Sequence, residues 1–295
     1  MVLSFKSQYK ILFTCQGEWN ESPTQLLRRF SRQTPGGNGL WKNLIGTDSV
    51  KEADYFIVLE GGSSPLPDSR TIYIKREPDF IKPINPKITY THKINFDDGC
   101  ANGGVTYWLN KTYDELMSLE PPSKNKRASF VISSKHGHRN NFVERVFKEE
   151  GEVSTIDLFG RGWQQSRGSK NYYKGVLDYD GNCKLRGLLD YQYTIALENS
   201  MQKNYWTEKL ADAYLSWCVP IYWGCPNITD YFPVESMHII DIHDKEALIK
   251  IKDFISRAPS SEQIKAVGAA RKKVLNNYNL WEIIYQKIKN IVSLK

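Results

Sequence analysis

The sequence predicts an α/β protein of two domains, each built around a parallel sheet. Three observations carry this expectation. Short apolar, β-rich runs alternate with helical patterns along most of the chain. Residues 193–224 read in turn as strand, loop, helix and strand, the βαβ unit of a parallel sheet. Between the two α/β series, Glu120 to Lys126 (EPPSKNK) has the prolines, serine and charge run of a linker.

Tyr9 to Cys15 (YKILFTC) is the first expected strand. Ser22 to Arg32 forms a short helix with Leu26, Leu27 and Phe30 on one side. Gln33 to Gly39 is a loop, whose GGNG lacks the Lys-Ser/Thr of a phosphate-binding loop and reads as a turn. Strands follow at Ala53 to Glu60, Thr71 to Glu77 and Lys87 to Lys93, the second of these stopped by Pro78. A helix covers Thr112 to Leu119. Beyond the linker come a strand at Ala128 to Ser133, a helix at Arg139 to Glu150 and a strand at Val153 to Phe159. Gly160 to Gly187 is long, polar and dotted with glycine.

The most informative stretch runs from Tyr193 to Phe232. The strand Tyr193 to Leu197 meets a polar cluster, Glu198, Asn199 and Ser200, and then a loop carrying Lys203, Asn204, Tyr205 and Trp206. Thr207 is placed to cap a helix, because its hydroxyl accepts from a free first-turn N–H. Leu210, Ala213, Tyr214 and Trp217 share one face of that helix. Val219 to Gly224 is the next strand, fully buried. A strand at His238 to Asp241 and a helix at Lys245 to Arg257 follow. The last helix, Ser261 to Ile291, carries a break signal at Asn276 to Asn279.

The chain has 295 residues, enough for two domains of ordinary size, and its 40% hydrophobic and 25% charged content is that of a soluble globular protein. The net charge of +7 favours an acidic partner: nucleic acid, a nucleotide phosphate or, peripherally, an anionic membrane. An inert basic surface is the plain alternative. The aromatics fall in strand-like or amphipathic patterns and are not interleaved with a basic patch, which counts against nucleic acid. Five cysteines without a CxxC pair point to a reducing compartment, with Cys218 as buried core. Five histidines without zinc-site spacing point away from a structural metal. MVLSFKSQYKILF reads as neither a signal peptide nor a membrane span.

Lys209 is the chemical oddity. It sits in the first turn of its helix, where the macrodipole disfavours a cation, whereas Glu208 beside it suits that end. A lysine among free N–H groups makes sense if an anion docks there, phosphate being the commonest. The plain alternative is a solvated lysine on a helix end.

ALENS followed by NYWTEKLADAYLSWCVPIYWGCPN resembles the sugar-nucleotide signature of the α-1,3-fucosyltransferases, glycosyltransferase family 10. The Glu-Asn pair, the Tyr-x-Thr-Glu-Lys helix start and the Pro-x-x-x-Gly strand end all occur in the family order. The resemblance covers the C-terminal half well and the N-terminal half thinly. It implies the GT-B architecture, two Rossmann-like domains facing across a cleft. Residues 1–122 would bind the acceptor and 123–295 the nucleotide sugar, with the last helix free to cross back to the N-terminal domain. The implied reaction is an inverting, metal-independent transfer of fucose from GDP-fucose to a glycan hydroxyl, in α-1,3 or α-1,4 linkage. No cofactor is required. The partners are the GDP-sugar donor and a glycan acceptor. Animal and plant family members carry a membrane anchor and stem, so the expectation here is a soluble, cytoplasmic enzyme of bacterial or viral type.

The resemblance also assigns roles. Lys209 and Arg139, in the segment HRNNF, would offset the charge of the leaving diphosphate. An exposed helix arginine is the plain alternative for Arg139. Asn199 would bond phosphate or ribose, Glu208 the ribose hydroxyls, and Tyr205 would lie near the donor, or else simply cover the helix start. Arg161 and Gly162, in FGRG, would lie near the guanine, a loop turn being the alternative. Glu77, in YIKREPDF, would be the general base, held extended by Pro78. Glu60 is the runner-up and Asp79 the third choice. One motif points elsewhere: Asp178 and Asp180 form a DYD resembling the metal site of GT-A glycosyltransferases. Two further functions stay open: transfer of another deoxysugar, or a catalytically silent nucleotide- or carbohydrate-binding protein on the same fold.

Overall fold

A computed structural model describes residues 6–15, 21–59, 66–77, 91–94, 107–135, 137–150, 155–163, 171–177 and 182–293. The chain divides into two compact units. One comprises residues 1–106, 111–118 and 274–295, and the other residues 107–110 and 119–273.

The first unit holds a six-stranded sheet in the order β2-β3-β1-β4-β5-β6. Its strands are β1 (Tyr9–Cys15), β2 (Leu40–Trp41), β3 (Leu44–Gly46), β4 (Tyr55–Leu59), β5 (Thr71–Ile74) and β6 (His92–Ile94). All pairs are parallel except the small β2–β3 hairpin. Every residue of β4 is buried, as expected of a parallel strand covered on both faces. Helix α1 (Pro23–Ser31) starts on a capping box: Gln25 N–H donates to Ser22 Oγ, and Ser22 N–H donates back to Gln25 Oε1. Its Phe30 packs on Phe13 with ring centres 5.0 Å apart. Helix α2 (Tyr113–Ser118) and the final helix α8 (Leu280–Ser293) belong to this unit. Trp281 of α8 meets Phe13 edge-on and donates its indole N–H to Phe30 O at 2.8 Å.

The second unit holds a five-stranded sheet, parallel throughout, in the order β11-β10-β9-β7-β8. Its elements are β7 (Lys126–Val131), α3 (Gly137–Glu150), β8 (Ile156–Phe159), α4 (Asn182–Arg186), β9 (Tyr191–Leu197), α5 (Glu208–Leu215), β10 (Val219–Trp223), β11 (His238–Ile239), α6 (Ala247–Ser256) and α7 (Ser261–Asn276). From β7 the chain moves outward to β8, then returns to the other side of β7 as β9. The order therefore reverses between β7 and β9, the point where ligands of such sheets bind beyond the strand carboxyl ends.

Several expected boundaries shift. The expected last helix is two: α7 ends at Asn276, and Asn279 opens α8 by accepting Trp281 N–H at 2.7 Å. Trp217 does not continue the apolar face of α5. It lies past the helix end at φ 59° and stacks under the Arg271 guanidinium, 4.3 Å from its ring centre. The segment after Glu120 is tied down: the Lys124 ammonium donates to Leu189 O at 2.7 Å and Ser216 O at 2.8 Å. Helix α4 and the β2–β3 hairpin were not expected from the sequence.

Candidate active site

Thr207 caps α5 as its sequence predicts, accepting from Lys209 N–H at 3.3 Å. All of α5 from Leu210 to Leu215 is buried. Asp212 is held there by Trp108 N–H and the Lys184 ammonium, so its charge is compensated. The loop entering α5 is fixed as well. Asn204 adopts φ 63°, a left-handed conformation that asparagine tolerates, and exchanges hydrogen bonds with Asn227 at 2.9 Å in both directions. Tyr231 donates to Asn204 Oδ1 at 2.6 Å, and Trp206 is buried edge-on against Phe232. A loop built this way needs little further ordering.

At the switch point, α3 and β9 converge. Arg139 is only 2% exposed, and its Nη1 donates to Leu197 O, the last carbonyl of β9, at 3.0 Å. The exposed-arginine reading of Arg139 therefore does not hold. Asn199 follows immediately and is buried. Tyr205, in the loop before α5, is buried too.

Lys209 has a surrounding that the sequence did not disclose. Its ammonium lies 3.1 Å from Thr207 Oγ1, 3.2 Å from Glu208 Oε1 and 3.6 Å from Glu198 Oε2. Glu198 is fully buried just past the end of β9, and accepts from Thr207 N–H at 2.8 Å and from the Thr207 hydroxyl at 2.6 Å. Burial pushes its carboxyl above the usual carboxylate range, against the pull of Lys209 and Thr207. So Lys209 already has an internal counter-ion, and the solvated-lysine alternative does not describe it. A glutamate that ends a buried strand run must find a cation or N–H groups, but the sequence does not say which.

The FGRG turn follows β8, with Gly160 at φ 139° and Gly162 at φ 89°. A Cβ on Gly160 would strike Ile132 O, and one on Gly162 would strike the Ser134 hydroxyl. These glycines thus serve a close approach to the end of β7, and Arg161 O accepts Ser134 N–H at 3.0 Å. Arg161 and Gly162 are exposed. Glu77 belongs to the first unit. It lies three residues past β5, because pairing with β6 ends at Ile74–Ile94 and a single further bond, Lys75 N–H to Ile94 O. Glu60, Asp79, Asp178 and Asp180 lie outside the described residues. Among the described residues no group of three or more His, Cys, Asp or Glu is placed to hold a metal ion, and no helix is long and apolar enough to cross a membrane.

The model of glycosyltransferase family 10 (fucosyltransferase), C-terminal region, matches residues 121–293, more than half of the chain. The chain belongs to glycosyltransferase family 10. Within that family it is 33% identical over 82 residues to an α-(1,3)-fucosyltransferase of Helicobacter pylori, covering 28% of this chain and 17% of that protein. It spans less than half the length of the curated relatives it matches. Its fold is that of a crystallised α1,3-fucosyltransferase, with a TM-score of 0.54 at 18% identity over 99% of this chain and 92% of that one. The DNA-modifying enzyme β-glucosyltransferase shares the fold, with a TM-score of 0.51 at 12% identity over 96% of this chain and 99% of that one. Two sheets flanked by helices with these neighbours make a GT-B architecture.

Proposed function

We propose that this family 10 chain is an inverting, metal-independent glycosyltransferase that moves fucose from GDP-fucose to a glycan hydroxyl, forming an α-1,3 or α-1,4 linkage. One observation carries the reading: a buried arginine and a lysine-bearing helix start both converge beyond the ends of β7 and β9. That is where a parallel sheet binds a nucleotide, and the residue types suit a diphosphate. As the bond from the anomeric carbon to the diphosphate breaks, negative charge grows on the departing GDP. Lys209 and Arg139 offset that charge in place. Asn199 and Glu208 hold phosphate and ribose, and Arg161 and Gly162 border the base. The acceptor oxygen attacks from the opposite side and gives its proton to Glu77, the general base that the family resemblance implies.

GDP release tests this reading. The purified chain is incubated in EDTA with GDP-fucose, a second deoxysugar donor such as GDP-rhamnose, GDP-mannose or UDP-galactose and a panel of galactosyl-N-acetylglucosamine glycans. Release above the acceptor-free rate, confined to GDP-fucose and accompanied by a fucosylated product, is the expected result. GDP binding without transfer to any acceptor would support the silent binding protein. Transfer from another deoxysugar nucleotide would replace fucose in this account.

A further inference from the structure

The proposed donor site contains a carboxylate that the reaction scheme leaves without work. Glu198 is fully buried at the carboxyl end of the central strand β9, and its two oxygens take both the backbone N–H and the hydroxyl of Thr207. Thr207 in turn accepts from the N–H and the ammonium of Lys209. Lys209 also approaches Glu198 directly, at 3.6 Å. The opposite wall is Gly224, just past β10, where a Cβ would collide with Glu198 Cβ and Cγ and with the Tyr222 hydroxyl. Tyr222 is pinned there by accepting Cys225 N–H at 3.0 Å, and Glu198 N–H donates to Trp223 O at 2.9 Å. The strand end, the helix cap and the cation are thus joined through a single carboxylate.

We infer that Glu198 is the positioning residue of the donor site, fixing the α5 cap and the Lys209 ammonium so that Lys209 meets the diphosphate pre-oriented. The inference rests on the proposed donor role of Lys209. Such an arrangement lowers the cost of ordering a long lysine side chain when the diphosphate binds. It accounts for three residue choices at once. Glu198 supplies two acceptors, Thr207 supplies both a hydroxyl and a cap, and Gly224 leaves the room that the glutamate stem occupies.

Binding of GDP and of guanosine to wild type, Glu198→Gln, Lys209→Met and the double variant, measured by calorimetry, tests this. Glu198→Gln keeps the shape and places no bare charge in the core, and a melting curve verifies its fold. It should weaken GDP by about tenfold or more, the scale of losing one charge-assisted hydrogen bond, and leave guanosine unchanged. In the Lys209→Met background the same change should have no further effect on GDP, because Glu198 acts through Lys209. Gly224→Ala, which shifts the carboxylate without removing it, should mimic Glu198→Gln. Equal loss for GDP and guanosine, or losses at Glu198 and Lys209 that simply add, would show a general structural role and overturn the inference. So would wild-type GDP affinity in a folded Glu198→Gln. If wild type itself fails to bind GDP, the reading of the donor site falls first and the inference with it.

Discussion

Lys209 meets two demands at once, and its substitution should separate them. It compensates the buried charge of Glu198 and is the proposed partner of the leaving diphosphate. Lys209→Ala should therefore cost about 1–3 kcal/mol of stability, the penalty for leaving a buried acceptor under-satisfied, because Thr207 still serves Glu198. It should also cost about 2–4 kcal/mol in transition-state terms. Adding Glu198→Gln should restore the melting temperature and leave turnover low. A Lys209→Ala protein as stable and active as wild type would remove both roles. Glu77 is the other residue with a sharp expectation. Glu77→Gln should slow transfer by roughly 10²–10⁴-fold, the range for losing a general base, with GDP affinity unchanged. Glu60→Gln, made in parallel, should keep most of the rate, and the reverse pattern would move the base to Glu60. Lys209 was legible as an anomaly from its place in a first helical turn. Its counter-ion was not, because an i to i+11 contact through a loop has no periodic signature in sequence.

Among the elements, α8 offers the clearest electrostatic test. Glu282 in its first turn accepts from Trp41 Nε1, Lys42 Nζ and Gln286 Nε2, each at 2.7 Å. Burial opposes its charge, but these donors together hold the carboxyl below the ordinary glutamate range. A carboxyl depressed in the folded state stabilises the fold above its unfolded value, around 4.3 for glutamate, and loses that contribution as pH falls through the lower folded value. Thermal melts from pH 7 downward should therefore show wild type losing part of its advantage over Glu282→Gln as the solution turns acid. A gap between the two that stays constant with pH would count against the paired carboxylate. Elements with a cap or a long apolar run, such as α1, β1, β9 and α5, could be read almost residue by residue from their sequence. The β2–β3 hairpin could not, since strands of two and three residues leave no alternation to detect. Trp217 matched the helical spacing of α5, but the C-cap at Ser216 turns the chain before it.

At the scale of the molecule, two α/β units follow from the alternation of strand and helix signals, while the reversal of strand order between β7 and β9 needed the topology. The return of residues 274–295 to the first unit was harder to read. The apolar stripe of α8 shows that a face is buried, and Trp281 on Phe13 and Phe30 reveals against which sheet. The site divides in the same way. Residues in dense motifs, Asn199, Glu208 and Lys209, were visible as candidates, while the burial of Arg139 and Tyr205 needed the fold. The central claim is that the second unit binds a guanosine diphosphate through cations and helix N–H groups, with no metal. Calorimetric titration of the wild-type chain with GDP, UDP and CMP, with and without EDTA, tests it most directly. The account predicts saturable binding that is tightest for GDP and unchanged by EDTA. Loss of GDP binding in EDTA, or equal affinity for all three nucleotides, would contradict it.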